Sequence, residues 1–202
     1  MKIVSRIPDW NEQKHTDLLN NDWKPLKEPE SLFIAICLSL PLMVINVFLA
    51  IGLMMTYTSL TLVELGVNAN GVVFSIHFGL IIGLILFIII HEFIHLVFIP
   101  NFSKSSSTLI GLTLFGGFVY TEELIGKTKF LIISLAPFII LSIVLPFILH
   151  IFGLLTTFMK VLILVNAAAS SVDVLNVFLI KQVPTNAVLT SNGNKTYWKK
   201  VA

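Results

Sequence analysis

His91, Glu92 and His95 stand in the middle of the apolar run FIIIHEFIHLVFIP at 87–100. On a helix, residues four apart lie one turn apart and about 40° from each other on the same face. Two imidazoles so placed can share one metal ion. Glu92, at the adjacent position, can reach a water on that metal without being a ligand itself. This is the H-E-x-x-H pattern, and random placement at this chain's His and Glu frequencies produces it about 0.004 times per chain. Accident is a poor explanation for it.

Zinc held by histidines takes a third protein ligand and, in a catalytic site, leaves a fourth position to water. Asp173, within NAAASSVDVLNVFLI, is the single acidic residue after Glu123. The His pair and Asp173 lie ~10 and ~12 Å from the inner ends of their apolar runs at 1.5 Å per residue, so the two depths agree. Asn166, two helical turns before Asp173, falls on nearly the same face. It can hydrogen-bond a substrate or a developing oxyanion, or serve as glue between helices. His77, about 20 Å along the helix from His91, is too distant to be a ligand, and both it and His150 are read as interfacial.

The elements that position these residues are membrane spans. The chain has 202 residues, of which 56% are hydrophobic and 12% charged, against ~45–50% and ~25% in soluble domains. Four runs reach the ~20 apolar residues that a bilayer requires: 31–56, 72–100, 130–153 and 156–180. The expected fold is an all-α membrane protein of four transmembrane helices. Pro41, Pro137 and Pro146 predict local kinks within them. The expected organisation is an N-terminal segment 1–30, a metalloprotease core 31–180 and a tail 181–202. Lysine and arginine concentrate before residue 31, between spans two and three and after residue 180, which places both termini on the cytoplasmic side.

A net charge of +2 without a basic block excludes a nucleic-acid partner. The lone Cys37 offers neither a disulfide framework nor a cysteine zinc site. Residues 8–23, with Trp10 and Trp23, read either as a short helix on the membrane surface or as a solvated tail. Between spans two and three, a stretch rich in Thr, Val and aromatic residues and punctuated by Gly111, Gly116 and Gly117 predicts a β-hairpin or a re-entrant loop. A strand there would line a wet cavity beside the metal, where Gly116 and Gly117 could present a backbone edge to an extended substrate. Asn192-Gly193, between two strand-like arms, predicts a C-terminal hairpin.

The segments HEFIH, FGGFVYTEE, LAPF and NAAASSVD resemble, in order and spacing, site-2-protease-like intramembrane zinc proteases. The short polar N-terminus and the VPTNAV…TYW tail more closely resemble a small bacterial zincin-peptidase family related to that group. The resemblance implies zinc bound by His91, His95 and Asp173, with Glu92 as general base, in a multi-pass protein of the bacterial cell membrane. The chain differs from the wider group in carrying Ala169 for a proline and Val174 for the glycine after the aspartate. Its expected substrates are single-pass membrane helices, or short peptides and signal-peptide remnants. The rival expectation is a non-hydrolytic metal-binding membrane protein of scaffold or immunity type.

Overall fold

The computed structural model describes residues 1–61, 63, 64, 67, 68, 71, 72, 78–113 and 116–201. Its described elements run in the order β1 (Lys2–Val4), α1 (Glu12–Asn20), β2 (Lys24–Pro25), α2 (Leu32–Met55), β3 (Val67–Asn68), β4 (Gly71–Val72) and α3 (Phe78–Phe98). There follow β5 (Thr108–Thr113), β6 (Gly116–Thr121), β7 (Ile125–Gly126), α4 (Lys127–Pro137), a π-helical stretch Phe138–Val144, α5 (Leu145–Ile151), α6 (Thr157–Ala169), α7 (Ser171–Leu179), a 3₁₀ turn Ile180–Gln182, β8 (Ala187–Asn192) and β9 (Lys195–Lys200). His77 lies outside the described residues.

Four helical units are long and apolar enough to cross a membrane: Leu32–Met55, Phe78–Phe98, Lys127–Ile151 and Thr157–Gln182. Their burial pattern is that of a bundle solvated by lipid. Phe33, Phe48 and Phe78 are 69%, 68% and 77% exposed, while Ser39, Asn46, His91, Asn166 and Ser171 are buried. In hydrocarbon the polar groups must turn inward and find partners. Asn46 of α2 accordingly donates to Ala167 O of α6 at 3.2 Å, and Ser171 of α7 to Ser39 of α2 at 3.1 Å. α2 packs on α6 and α7, and α3 packs on α4, α6 and β6.

The third and fourth units are not regular. Pro137 cannot supply an N–H, and the ladder slips into the wider π form immediately after it. In the fourth unit, Ser170 Oγ bonds back to Asn166 O at 2.9 Å, and the helix breaks between Ala169 and Ser171. Asp173 therefore sits in the first turn of a new helix.

The strands correct the all-α expectation, which allowed only two hairpins. The β5–β6 hairpin forms between spans two and three, but β1 joins it in parallel to give the order β1-β5-β6. The C-terminal β8–β9 hairpin is widened by β2 and β7 into β2-β9-β8-β7. Its register pairs Asn192 with Lys195, so the turn is Gly193-Asn194, one residue later than the sequence implied. Gly193 takes φ +58°, and a Cβ there would lie 2.6 Å from Trp10 Cα. Of the two readings of residues 8–23 the short helix forms, as α1, and it is tied to this sheet, since Trp10 Nε1 donates to Tyr197 OH at 3.3 Å and His15 Nδ1 lies 2.7 Å from the same hydroxyl. Leu26, Ile180, Val183, Ala187 and Leu189 form a core that binds this second sheet to the ends of α4 and α7. Both larger sheets thus adjoin the same end of the bundle.

At the opposite end, Lys160 of α6 is 5% exposed, and its Nζ reaches Glu64 Oε1 at 2.8 Å and Ser59 O at 2.7 Å. That hydrogen bond, more than any other influence, holds the Glu64 carboxyl down to about 2. A depressed carboxyl contributes stability above its unfolded value, near 4.5, and loses it as pH falls through about 2. Lys160→Met is expected to lower stability by about 1 kcal/mol, since Glu64 can rehydrate. Thermal unfolding in detergent should show the same loss at pH 7 and pH 5.

Candidate metal centre

α3 presents His91, Glu92 and His95 to the interior, where all three are buried. α7 brings Asp173 against them from the fourth unit. His91 Nε2 lies 3.2 Å from Asp173 Oδ2, and His95 Nε2 lies 3.4 Å from Asp173 Oδ1. The ligand atoms of the three residues are all within 4.8 Å of one another. Tetrahedral zinc with bonds of ~2.0–2.1 Å separates its ligand atoms by about 3.4 Å, so the set has the right span.

The hydrogen-bond network fixes which nitrogen faces inward. Ile133 O can only accept, so His95 Nδ1 at 2.8 Å must be the donor. For His91 the argument passes through three groups. Ile163 O accepts from Ser142 Oγ at 3.3 Å, which leaves that hydroxyl oxygen to accept from Asn166 Nδ2 at 2.9 Å. Asn166 Oδ1 is then turned to His91 Nδ1 at 2.9 Å and accepts its proton. In the neutral imidazoles both Nε2 atoms carry lone pairs aimed at a carboxylate. Three electron-pair donors with no hydrogen between them form a set that a divalent cation satisfies.

Ser142 reaches Asn166 from the π-helical stretch after Pro137. Sequence reasoning missed this serine and the Ile133 carbonyl. The available signal was a serine in an apolar span five residues after a proline. Asn166 has both ends of its amide committed, one to His91 and one to Ser142, so its direct contact is with a member of the candidate donor cluster. Asn166→Leu is expected to weaken zinc binding about 10- to 100-fold in a bundle that still folds, as measured by chelator competition.

Glu92 is 9% exposed, and its carboxyl has no hydrogen-bond partner among the described residues. It is covered by β6, where a Cβ on Gly117 would fall 2.2 Å from Glu92 Cγ and 2.8 Å from its Oε1. Only glycine lets the strand pass this close. Gly116, beside it, takes φ +133°.

Two cavities meet at Glu92, Gly117, Phe118 and Asp173. The larger, about 500 Å³, lies between α2 and α3 and is lined chiefly by apolar residues such as Leu32, Ile36, Met43, Leu84 and Phe87. The smaller, about 280 Å³, runs toward the sheets and is bounded by Gly117–Thr121 of β6, by Thr190 and Ser191 of β8, and by Asn176 of α7. The Glu92 carboxyl and the His91–His95–Asp173 cluster therefore lie where the two cavities join.

No curated protein and no solved structure shows significant similarity to this chain. A family model described as "Putative zincin peptidase" matches residues 84–188, which include all of His91, Glu92, His95, Asn166 and Asp173. A zincin is a zinc peptidase, in agreement with the donor set. The match covers more than half of the 202 residues, and the chain belongs to this zincin-peptidase family.

Proposed function

We propose that the protein is an intramembrane zinc metallopeptidase that hydrolyses peptide bonds in membrane-embedded or membrane-proximal segments. The observation that carries this reading is the position of Glu92. Its carboxyl has no partner among the described residues and stands beside the His91–His95–Asp173 cluster, where an apolar cavity meets a smaller one of mixed polar and apolar lining. A metal kept for structure alone has no use for such a base.

His91 and His95, oriented through Asn166 and the Ile133 carbonyl, hold the ion together with Asp173. When bound, zinc supplies a Lewis acid that makes water more acidic and polarises the scissile carbonyl. Glu92 accepts a proton through a carboxylate oxygen as the water oxygen bonds to the carbonyl carbon. It then returns that proton to the amide nitrogen as the C–N bond breaks, leaving a carboxylate and an amine. Gly117 keeps β6 against Glu92 and limits the water that reaches it.

The cleft between α2 and α3 gives a membrane helix lateral access to Glu92. A helical peptide bond is enclosed by its own hydrogen bonds, so the segment must unwind. β6 is an edge strand, and alternate peptide groups of Gly117–Thr121 turn away from β5. An unwound substrate pairs along that edge. The distribution of lysine and arginine orients the sheet-bearing end, and both termini, toward the cytoplasm.

The test uses zinc-loaded protein reconstituted with single-pass reporters that carry a tag on the cytoplasmic side, across a panel of juxtamembrane sequences. Release of the tag by wild type and none by Glu92→Gln is the expected result. Equal release by both, or none by wild type from any reporter, overturns the reading.

A further inference from the structure

Asn176 is a polar residue in the apolar sequence VDVLNVFLI, and the metal cluster makes no use of it. An asparagine in a membrane span ordinarily bonds a neighbouring helix, as Asn46 does to Ala167 O. Asn176 bonds no side chain or backbone group through its amide among the described residues, and it lines the smaller cavity together with Glu92, His95 and Asp173. It follows Asp173 by three positions, on the same helical face and about 4.5 Å nearer the sheets. Gly117–Thr121 of β6 supply another stretch of its wall.

An extended peptide carries hydrogen-bonding groups along both of its edges, and a strand docked on β6 satisfies one edge only. The other edge faces α7, a helix whose own backbone groups are already paired. A side chain there that both donates and accepts can stand in for a missing neighbouring strand, and a primary amide does both. On the proposed peptidase reading, we infer that Asn176 is a substrate-positioning residue: its amide binds the backbone of the extended peptide on the sheet-facing side of the scissile bond, opposite β6. Substrates are accordingly recognised there through main chain, which leaves their side-chain sequence only weakly restricted.

The experiment compares two zinc-directed probes on detergent-solubilised, zinc-loaded protein: acetohydroxamate, which has no peptide arm, and a hydroxamate carrying a Leu-Phe-Ala peptidyl arm. Wild type should bind the peptidyl probe more tightly. Asn176→Leu should weaken the peptidyl probe about five- to tenfold, the effect of one or two lost hydrogen bonds, and leave acetohydroxamate and zinc content unchanged. Asn176→Gln, which keeps the amide, should recover part of the difference, and Asn176→Ala serves if the leucine variant does not fold. Equal affinity of wild type for the two probes, or an unchanged peptidyl affinity in the leucine or alanine variant, overturns the role of Asn176. Failure of wild type to bind acetohydroxamate at all would instead sink the metal-centre reading beneath it.

Discussion

Replacing Glu92 by glutamine should leave one zinc per chain and reduce peptide hydrolysis by about 10²- to 10⁴-fold. Proton transfer by a positioned base contributes ~10²- to 10⁴-fold, and glutamine occupies nearly the same volume without being able to accept the proton. Because Glu92 touches Gly117 across a gap that admits no Cβ, the isosteric change preserves the fit of β6 against α3. Metal content is expected to be unaffected, since His91, His95 and Asp173 form the donor cluster without Glu92. Metal analysis alongside a cleavage assay checks both halves. Cleavage surviving undiminished in the glutamine variant would remove Glu92 as the base, and zinc bound without cleavage by wild type would return the protein to the class of non-hydrolytic metal binders.

The second large effect is expected at Asp173. Asp173→Ala should weaken zinc binding about 10²- to 10³-fold, roughly one ligand's share of the ~10–16 kcal/mol associated with a structural zinc site. Both of its carboxylate oxygens face imidazole nitrogens, at 3.2 and 3.4 Å, so its loss opens one side of the cluster. The helix that carries it should stay in place, because Ser171 still bonds Ser39 and α2 still packs on α7. Zinc titration against a competing chelator, with circular dichroism to confirm the fold, measures the effect. An aspartate-free variant that binds zinc as tightly as wild type would remove Asp173 from the site.

Much of this site could be read before any coordinates, for reasons that differ from residue to residue. His91 and His95 were legible because helical geometry alone sets their relation. Asp173 was legible because the apolar spans hold so few carboxylates that elimination and depth sufficed. Asn166 was located on the right face but its partner was not. Whether it meets substrate, helix or ligand depends on the rotation of α6 against α3, which local sequence does not encode. Ser142 was invisible for a related reason, since its direction follows from a change of helical pitch after Pro137. The spans Leu32–Met55 and Thr157–Gln182 fall within a few residues of the apolar runs that announced them. By contrast, β1 and β2 have three and two residues, too few to show a period, and their partners lie far along the chain. Asn176 was illegible because a single asparagine among apolar residues reads as glue between helices until the cavity it lines is in view.

The latch between α1 and the second sheet has a consequence for biosynthesis. Asn11 N–H bonds Asn192 Oδ1, and Trp10 meets Tyr197, across 181 and 187 positions. A ribosome adding ~5–20 residues per second delivers those partners roughly ten seconds or more after the residues that await them. The four spans can enter the bilayer during that interval, while the roof of sheets is still in two separate pieces. Closure is therefore a late maturation event, and a nascent chain halted before Asn192 would present an assembled bundle without its cover.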